Sequence, residues 1–206
     1  MRRATRIIAA SFGIFAGFGG LEHGYFEMLQ GNVRPESIMI ASMGAPCVPE
    51  EIWNACEPAM TIIPDLLVTG VVSALLGLVT MVWAAAFVQR RRGGTILAFL
   101  SFGLLLFGGG IFPPVIGIIG GVVGTGIDSL LKKQPGRVWR VLARAWPWAI
   151  ISFFVWLFGQ FVIGHFFNEF LMENAVLIPV LILGLLAVSI LAGYAHDIQE
   201  QGRAKD

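Results

Sequence analysis

Charge is what this chain has least of. Only 13% of its 206 residues are Asp, Glu, Lys or Arg, while 56% are hydrophobic and the mean hydropathy is +0.79. A soluble domain of this size could not cover so much apolar surface, so that class is excluded. Cysteine is nearly lacking: two residues cannot form a disulfide framework, although they can form one bridge. The ten-residue alternation of a transmembrane β-barrel is missing as well. The glycine-rich GVVGTG at 121–126 is not followed by the Lys-Ser/Thr with which a phosphate loop holds phosphate and Mg²⁺. Nothing resembles a nucleic-acid-binding module, and no stretch is left over for a soluble domain.

Long apolar runs are what remains. A hydrocarbon core of ~30 Å takes about 20 helical residues to cross. The expectation is therefore an all-α polytopic membrane bundle, a single transmembrane domain over 1–206. Its six spans are expected at roughly 7–29, 62–88, 95–111, 114–131, 146–168 and 175–195. The apolar stretch 95–131 is too long for one crossing and is interrupted by GGGIFPP at 108–114, turn residues that split it into a hairpin. The opening MRRATRIIAASFGIFAGFGG has the basic start and apolar run of a signal peptide. It shows no small-x-small cleavage site before the polar residues that follow, so it is read as an uncleaved first span.

The basic residues set the orientation. Thirteen of the fourteen Lys and Arg fall in stretches that six spans put on one side: Arg2, Arg3, Arg6, Arg90, Arg91, Arg92, Lys132, Lys133, Arg137, Arg140, Arg144, Arg203 and Lys205. Only Arg34 lies opposite. The positive-inside rule then places both termini in the cytoplasm of a cell (inner) membrane. The other face, with an external loop at 31–60, is acidic: Glu36, Glu50, Glu51, Glu57, Asp65, Glu169 and Glu173. Asp65 follows Pro64 at the head of the second span, where an acid is satisfied by the positive end of the helix. Cys47 and Cys56 would face an oxidising compartment and are expected to form a bridge; a redox or metal-binding pair is the alternative. In KKQPGRVWRVLARA at 132–145, Arg137, Arg140 and Arg144 recur at helical spacing opposite Val138, Val141 and Leu142. That pattern suits a short helix lying in the cytoplasmic interface, anchored by Trp139, Trp146 and Trp148. Gly13/Gly17, Gly117/Gly121 and Gly120/Gly124 are small-xxx-small pairs, expected to serve close helix packing.

Against this background one polar patch stands out. GGLEHGYFEMLQGN at 19–32 places Glu22, His23 and Glu27 at the outer end of the first span. HFFNEFLMEN at 165–174 repeats its spacing: His165 over His23, Glu169 over Glu27, Leu171 over Leu29 and Asn174 over Asn32. With Gly17 matching Gly159, and Ile63-Pro64 resembling Ile178-Pro179, a duplicated hairpin (spans 1–2 and 5–6) is the expected plan. His and Glu four residues apart share one helical face. At ~1.5 Å per residue, His23 lies roughly 24 Å along from Ile7 and His165 about 28 Å along from Trp146, so both pairs sit at similar depth.

Ionisable groups at such depth are costly and mark functional sites by default. The candidate binding or proton-relay residues are Glu22, His23, Glu27, His165, Asn168 and Glu169, with Asp65 and Gln160 nearby as supporting groups. His titrates near neutrality, so a His/Glu pair can exchange protons at working pH. Four readings follow. The groups cap helix ends in the interface; they bind or move a small ion or solute; they serve a membrane-embedded enzyme by acid–base chemistry, or bind a metal through His23, His165, Glu27 and Glu169; or His23 and His165 hold haem. Ion or solute binding is the preferred reading. A small enzyme acting on a lipophilic substrate, or a structural subunit of a larger membrane complex, are the alternatives. The lipid bilayer is the expected partner, alongside further copies or membrane-complex subunits.

EHGYFEMLQGN together with IIPDLLVTG resembles small uncharacterised prokaryotic integral membrane proteins, and this resemblance implies a membrane fold but no activity. The H-x-x-x-E helix alone is similar to one in sterol-isomerase-like membrane enzymes. No residue role is carried over from either.

Overall fold

The computed structural model describes residues 1–42, 57–131 and 136–203. They are dominated by helices: α1 (Arg3–Gln30), α2 (Leu66–Ala86), α3 (Gly93–Leu106), α4 (Phe112–Gly124), α5 (Arg137–Arg144), α6 (Trp148–Glu173) and α7 (Leu177–Arg203). α1, α2, α6 and α7 are each long and apolar enough to cross a membrane, which marks a membrane protein. α3 and α4, with 14 and 13 residues, are shorter. At ~1.5 Å per residue each reaches only about 20 Å, less than the ~30 Å hydrocarbon thickness. The chain divides into two compact units, one holding the described residues 9–42 and 57–127, the other 1–8, 128–131 and 136–203.

In the first unit, glycine spacing dictates the packing of α1 on α2. Gly17 lies against the carbonyl of Gly77 and Gly24 against that of Gly70, reciprocally, one heptad apart on each antiparallel helix. A β-carbon at any of the four would run into the facing backbone, so the helices approach more closely than side chains would allow. Ser73 Oγ uses that proximity to donate to the Gly20 carbonyl at 2.9 Å. The expected small-residue pairs find partners in the same way: Gly13 on Ala84 and Leu97, Gly117 on Ser101 and Ala16, Gly121 on Ala98, Gly120 on Phe12. Ala9, Ala84, Val88, Leu97 and Ile127 close the core at the α2–α3 end.

Two turns shape the opposite end of this unit. α1 stops at Gly31, whose φ of +76° ends the helix. α2 starts at Asp65, where extended backbone lets Oδ1 accept from Val68 N at 2.9 Å, so Asp65 serves as the helix cap that its position suggested. Between them, part of the expected loop folds into a two-stranded antiparallel ribbon, β1 (Met39–Ala41) and β2 (Pro58–Met60), which the sequence did not announce. Ile40, Ala59 and Leu66 pack beneath it. α3 and α4 are joined by 107–111, where Gly108 (φ +90°) and Gly110 (φ +81°) occupy the left-handed region open to glycine. The ribbon is sewn to this turn: Gly108 N donates to Met60 O at 2.8 Å and Ile62 N to Leu106 O at 3.2 Å.

In the second unit, α6 and α7 fold back on each other through a short turn at 174–176. α7 runs to Arg203, past the Ala195 at which the sixth span is expected to end. The added turns carry Asp197. It is buried, and its Oδ1 accepts from Ala4 N at 3.0 Å while Oδ2 accepts from Thr5 N at 2.9 Å and from Thr5 Oγ1 at 2.6 Å. Those amides belong to the first turn of α1, where a helix leaves donors without internal partners. Arg2 completes the cluster, with Nε 3.7 Å from Asp197 Oδ2, Nη1 donating to Ser129 Oγ at 3.1 Å, and its guanidinium 4.8 Å over the Tyr194 ring. α6 is interrupted at Phe167 (φ −138°, ψ 48°), so it is two helical pieces across a kink.

Candidate functional site

The polar patch of α1 is buried. His23 is 1% exposed and Glu27 fully covered, although both stand near the end of the helix. Residues four apart stack on one helical face, and here that face meets the ribbon and the 107–111 turn. The glycines of that turn make the approach possible. A β-carbon on Gly108 would collide with both carboxylate oxygens of Glu27, and one on Gly110 would meet His23 Nε2 at 2.5 Å. The backbone of the turn therefore lies directly against the two functional groups.

The surroundings are polar but do not satisfy them. His23 Nε2 lies 3.3 Å from Glu57 Oε2, an ion pair when the ring is protonated. Ser42 Oγ is 3.4 Å from both Glu27 Oε1 and the His23 carbonyl, long for hydrogen bonds. Gln30 fixes Ser42 in place, its Nε2 donating to Ser42 O at 2.7 Å and Ala41 O at 3.2 Å. Close by, Thr61 and Thr69 share a hydroxyl–hydroxyl bond of 2.9 Å. His23 Nδ1 and Glu27 Oε2 are buried without a hydrogen-bond partner, and His23 Nε2 has only the ion-pair contact to Glu57. A buried atom without a partner normally costs ~1–3 kcal/mol, so a site that keeps two of them invites a ligand.

The charge balance is one-sided. Glu22, half-buried, interacts electrostatically with both His23 and Glu57. Three carboxyl groups thus surround one imidazole, and among the described residues of this unit His23–Glu57 is the one ion pair. Even with the ring protonated, the cluster stays net acidic when its carboxyls are ionised.

Of the remaining predicted site residues, His165 and Glu169 are exposed and Asn168 is half-buried, on either side of the α6 kink. A surface depression there is lined by Phe166, Phe167, Asn168, Glu169, Phe170 and Glu173. The echo of spacing between 23–32 and 165–174 is therefore not an echo of environment: one His/Glu pair is enclosed on an unbroken helix, the other open beside a kink. Asp65 is committed to capping, and Gln160, buried, turns its Nε2 to Leu157 O at 3.1 Å. Cys47 and Cys56 lie outside the described residues. Ser42, Thr61, Thr69 and the Gly108–Gly110 turn were not singled out as site residues; the run of three glycines before two prolines was the available signal, read only as a turn.

Among the described residues, one group of three metal-capable side chains brings its ligand atoms within 4.8 Å, His196, Asp197 and Glu200. Both Asp197 oxygens are already engaged by the start of α1, so this cluster serves structure. In comparisons with protein-family models, curated proteins and solved structures, nothing matches this chain.

Proposed function

We propose that this is a multi-pass protein of the cell (inner) membrane, with six crossings and both termini cytoplasmic, that binds a small cation, the proton foremost, at an outward-facing site made by Glu22, His23, Glu27 and Glu57. In this reading the third and fourth crossings are made by the short α3 and α4 together with the residues that flank them, and the basic stretches all fall on the inner face. In an oxidising outer compartment Cys47 and Cys56 would close a bridge.

The observation that carries this reading is the buried His23/Glu27 pair, flanked by Glu22 and Glu57, in which His23 Nδ1 and Glu27 Oε2 have no partner. Interfacial capping groups would snorkel to water and satisfy themselves there; these do not. A proton can be passed between imidazole and carboxylates, and a metal or alkali cation would find oxygen and nitrogen donors. Ser73 and Thr80 are tied to the backbone carbonyls of Gly20 and Leu76, and such hydroxyls offer no ionisable step, which favours binding and exchange over passage straight through.

The test is thermal unfolding of the purified chain in nanodiscs, titrated with acid and with alkali and divalent chlorides. A cation held by the folded state alone stabilises it by about 2.7 kcal/mol at a hundredfold excess over Kd. That stabilisation should vanish in His23→Gln and Glu27→Gln. If both variants respond to every cation and to acid as the parent does, the site has no ligand role.

A further inference from the structure

We propose that α5 is a docking element for the phosphate of anionic phospholipid headgroups. The helix is short and strongly amphipathic, and its two sides are distinguishable by burial. Trp139, Leu142 and Ala143 turn toward the protein, with Ala143 buried and the Trp139 ring set edge-on to Tyr194 of α7 at 5.4 Å. At 3.6 residues per turn, Arg137, Arg140 and Arg144 fall within an arc of roughly 60°, and Val141 and Val138 continue that arc rather than opposing it as expected, leaving Leu142 on the far side. All five are exposed, the valines by 60% and 69%. α5 carries no acidic residue, and none of its three arginines forms an ion pair among the described residues.

The position of the helix selects the partner. Trp139 is held against Tyr194 and also receives Gln199 Nε2 on its carbonyl, so α5 is fixed where α7 passes from the exposed apolar Leu191 to the polar run His196–Asp197. That passage is the membrane–water boundary of a spanning helix. Two exposed valines beside three unpaired arginines suit a surface that is apolar on one side and anionic on the other, which is what a phospholipid offers. Trp148, 68% exposed just beyond α5, is the residue type enriched at that level. Guanidinium matches phosphate through paired N–H donors, so the arginines supply recognition as well as charge.

Each basic residue near an anionic lipid surface contributes about fivefold in affinity, so three together contribute on the order of 100-fold. The experiment uses the full chain in neutral detergent. Retained lipid is read by native mass spectrometry and stability by thermal unfolding, with phosphatidylglycerol compared against phosphatidylcholine. The parent should retain phosphatidylglycerol preferentially, and Arg137→Gln/Arg140→Gln/Arg144→Gln should lose that preference while keeping its circular dichroism spectrum. Equal preference in parent and triple variant overturns the proposal. So does inorganic phosphate reproducing the stabilisation, since that would make α5 a free-anion site. Should the triple variant not fold, the parent decides: its preference must weaken steeply between about 50 and 500 mM salt, and a salt-independent preference refutes the reading.

Discussion

Replacing Glu27 with glutamine should make the protein more stable. Glu27 is fully covered, its Oε2 has no hydrogen-bond partner, and its Oε1 reaches Ser42 only at 3.4 Å. A carboxyl group kept in such surroundings for folding alone would be an expensive choice. An unsatisfied buried polar group costs ~1–3 kcal/mol, and more if it carries charge. Glutamine has the same shape, cannot ionise, and adds two donors within reach of the Ser42 hydroxyl, so it escapes part of that cost. For a chain of this length about 1 kcal/mol moves Tm by ~2–4 °C, so a rise on the order of 5 °C is expected in Glu27→Gln. Methionine would avoid the charge too, but its tip would press on the backbone of Gly108, which lies against the carboxylate. The assay is thermal unfolding in cation-free buffer, followed by tryptophan fluorescence. A fall of several degrees would mean that the carboxylate accepts bonds the fold depends on, and the argument that the site is held open for a ligand would then collapse.

Two further outcomes follow from the packing. Asp197→Ala removes the acceptor of two α1 amides and one hydroxyl and leaves Arg2 without its buried counter-charge; a loss of about 3–5 kcal/mol is expected in reversible unfolding in mixed micelles, with faster hydrogen exchange at Ala4 and Thr5. A loss below ~1 kcal/mol would show that the first turn of α1 is satisfied some other way. Gly77→Leu places a large side chain against the backbone of Gly17 and Leu21, and should abolish a well-folded state, whereas the same change at Gly184, with open space around it, should be near neutral; equal tolerance of both would contradict the close α1–α2 crossing.

Much of the helical order was legible because it rests on composition. Apolar runs, their polar breaks and the GGGIFPP turn mark where α2, α3, α4 and α6 begin, each within four residues of the start of an expected span, whereas α3 and α4 end five and seven residues earlier and α6 five residues later. Asp65 was readable because a cap is a local event, decided by one side chain and an amide three residues on. What was not legible is long-range. Asp197 looked like part of a solvated tail, because its partners lie at the other end of the sequence. Glu57 looked like one more acid on an acidic face, and only the ribbon carries it to His23. The matched spacing of His165 and Glu169 did not carry their exposure for a related reason: periodicity fixes which face a residue occupies, while burial depends on what is packed there, and the Phe167 kink has no evident signal in the residues around it.

The capping of α1 by Asp197 has a consequence for biosynthesis. Ala4 and Asp197 are 193 positions apart, so the start of the first helix enters the membrane long before its cap is translated. Until α7 arrives, the leading turn carries bare amides and Arg2 has no counter-charge. A chain stalled or truncated upstream of Asp197 would keep its earlier spans yet present an unfinished amino-terminal end, a defect that quality-control proteases could recognise.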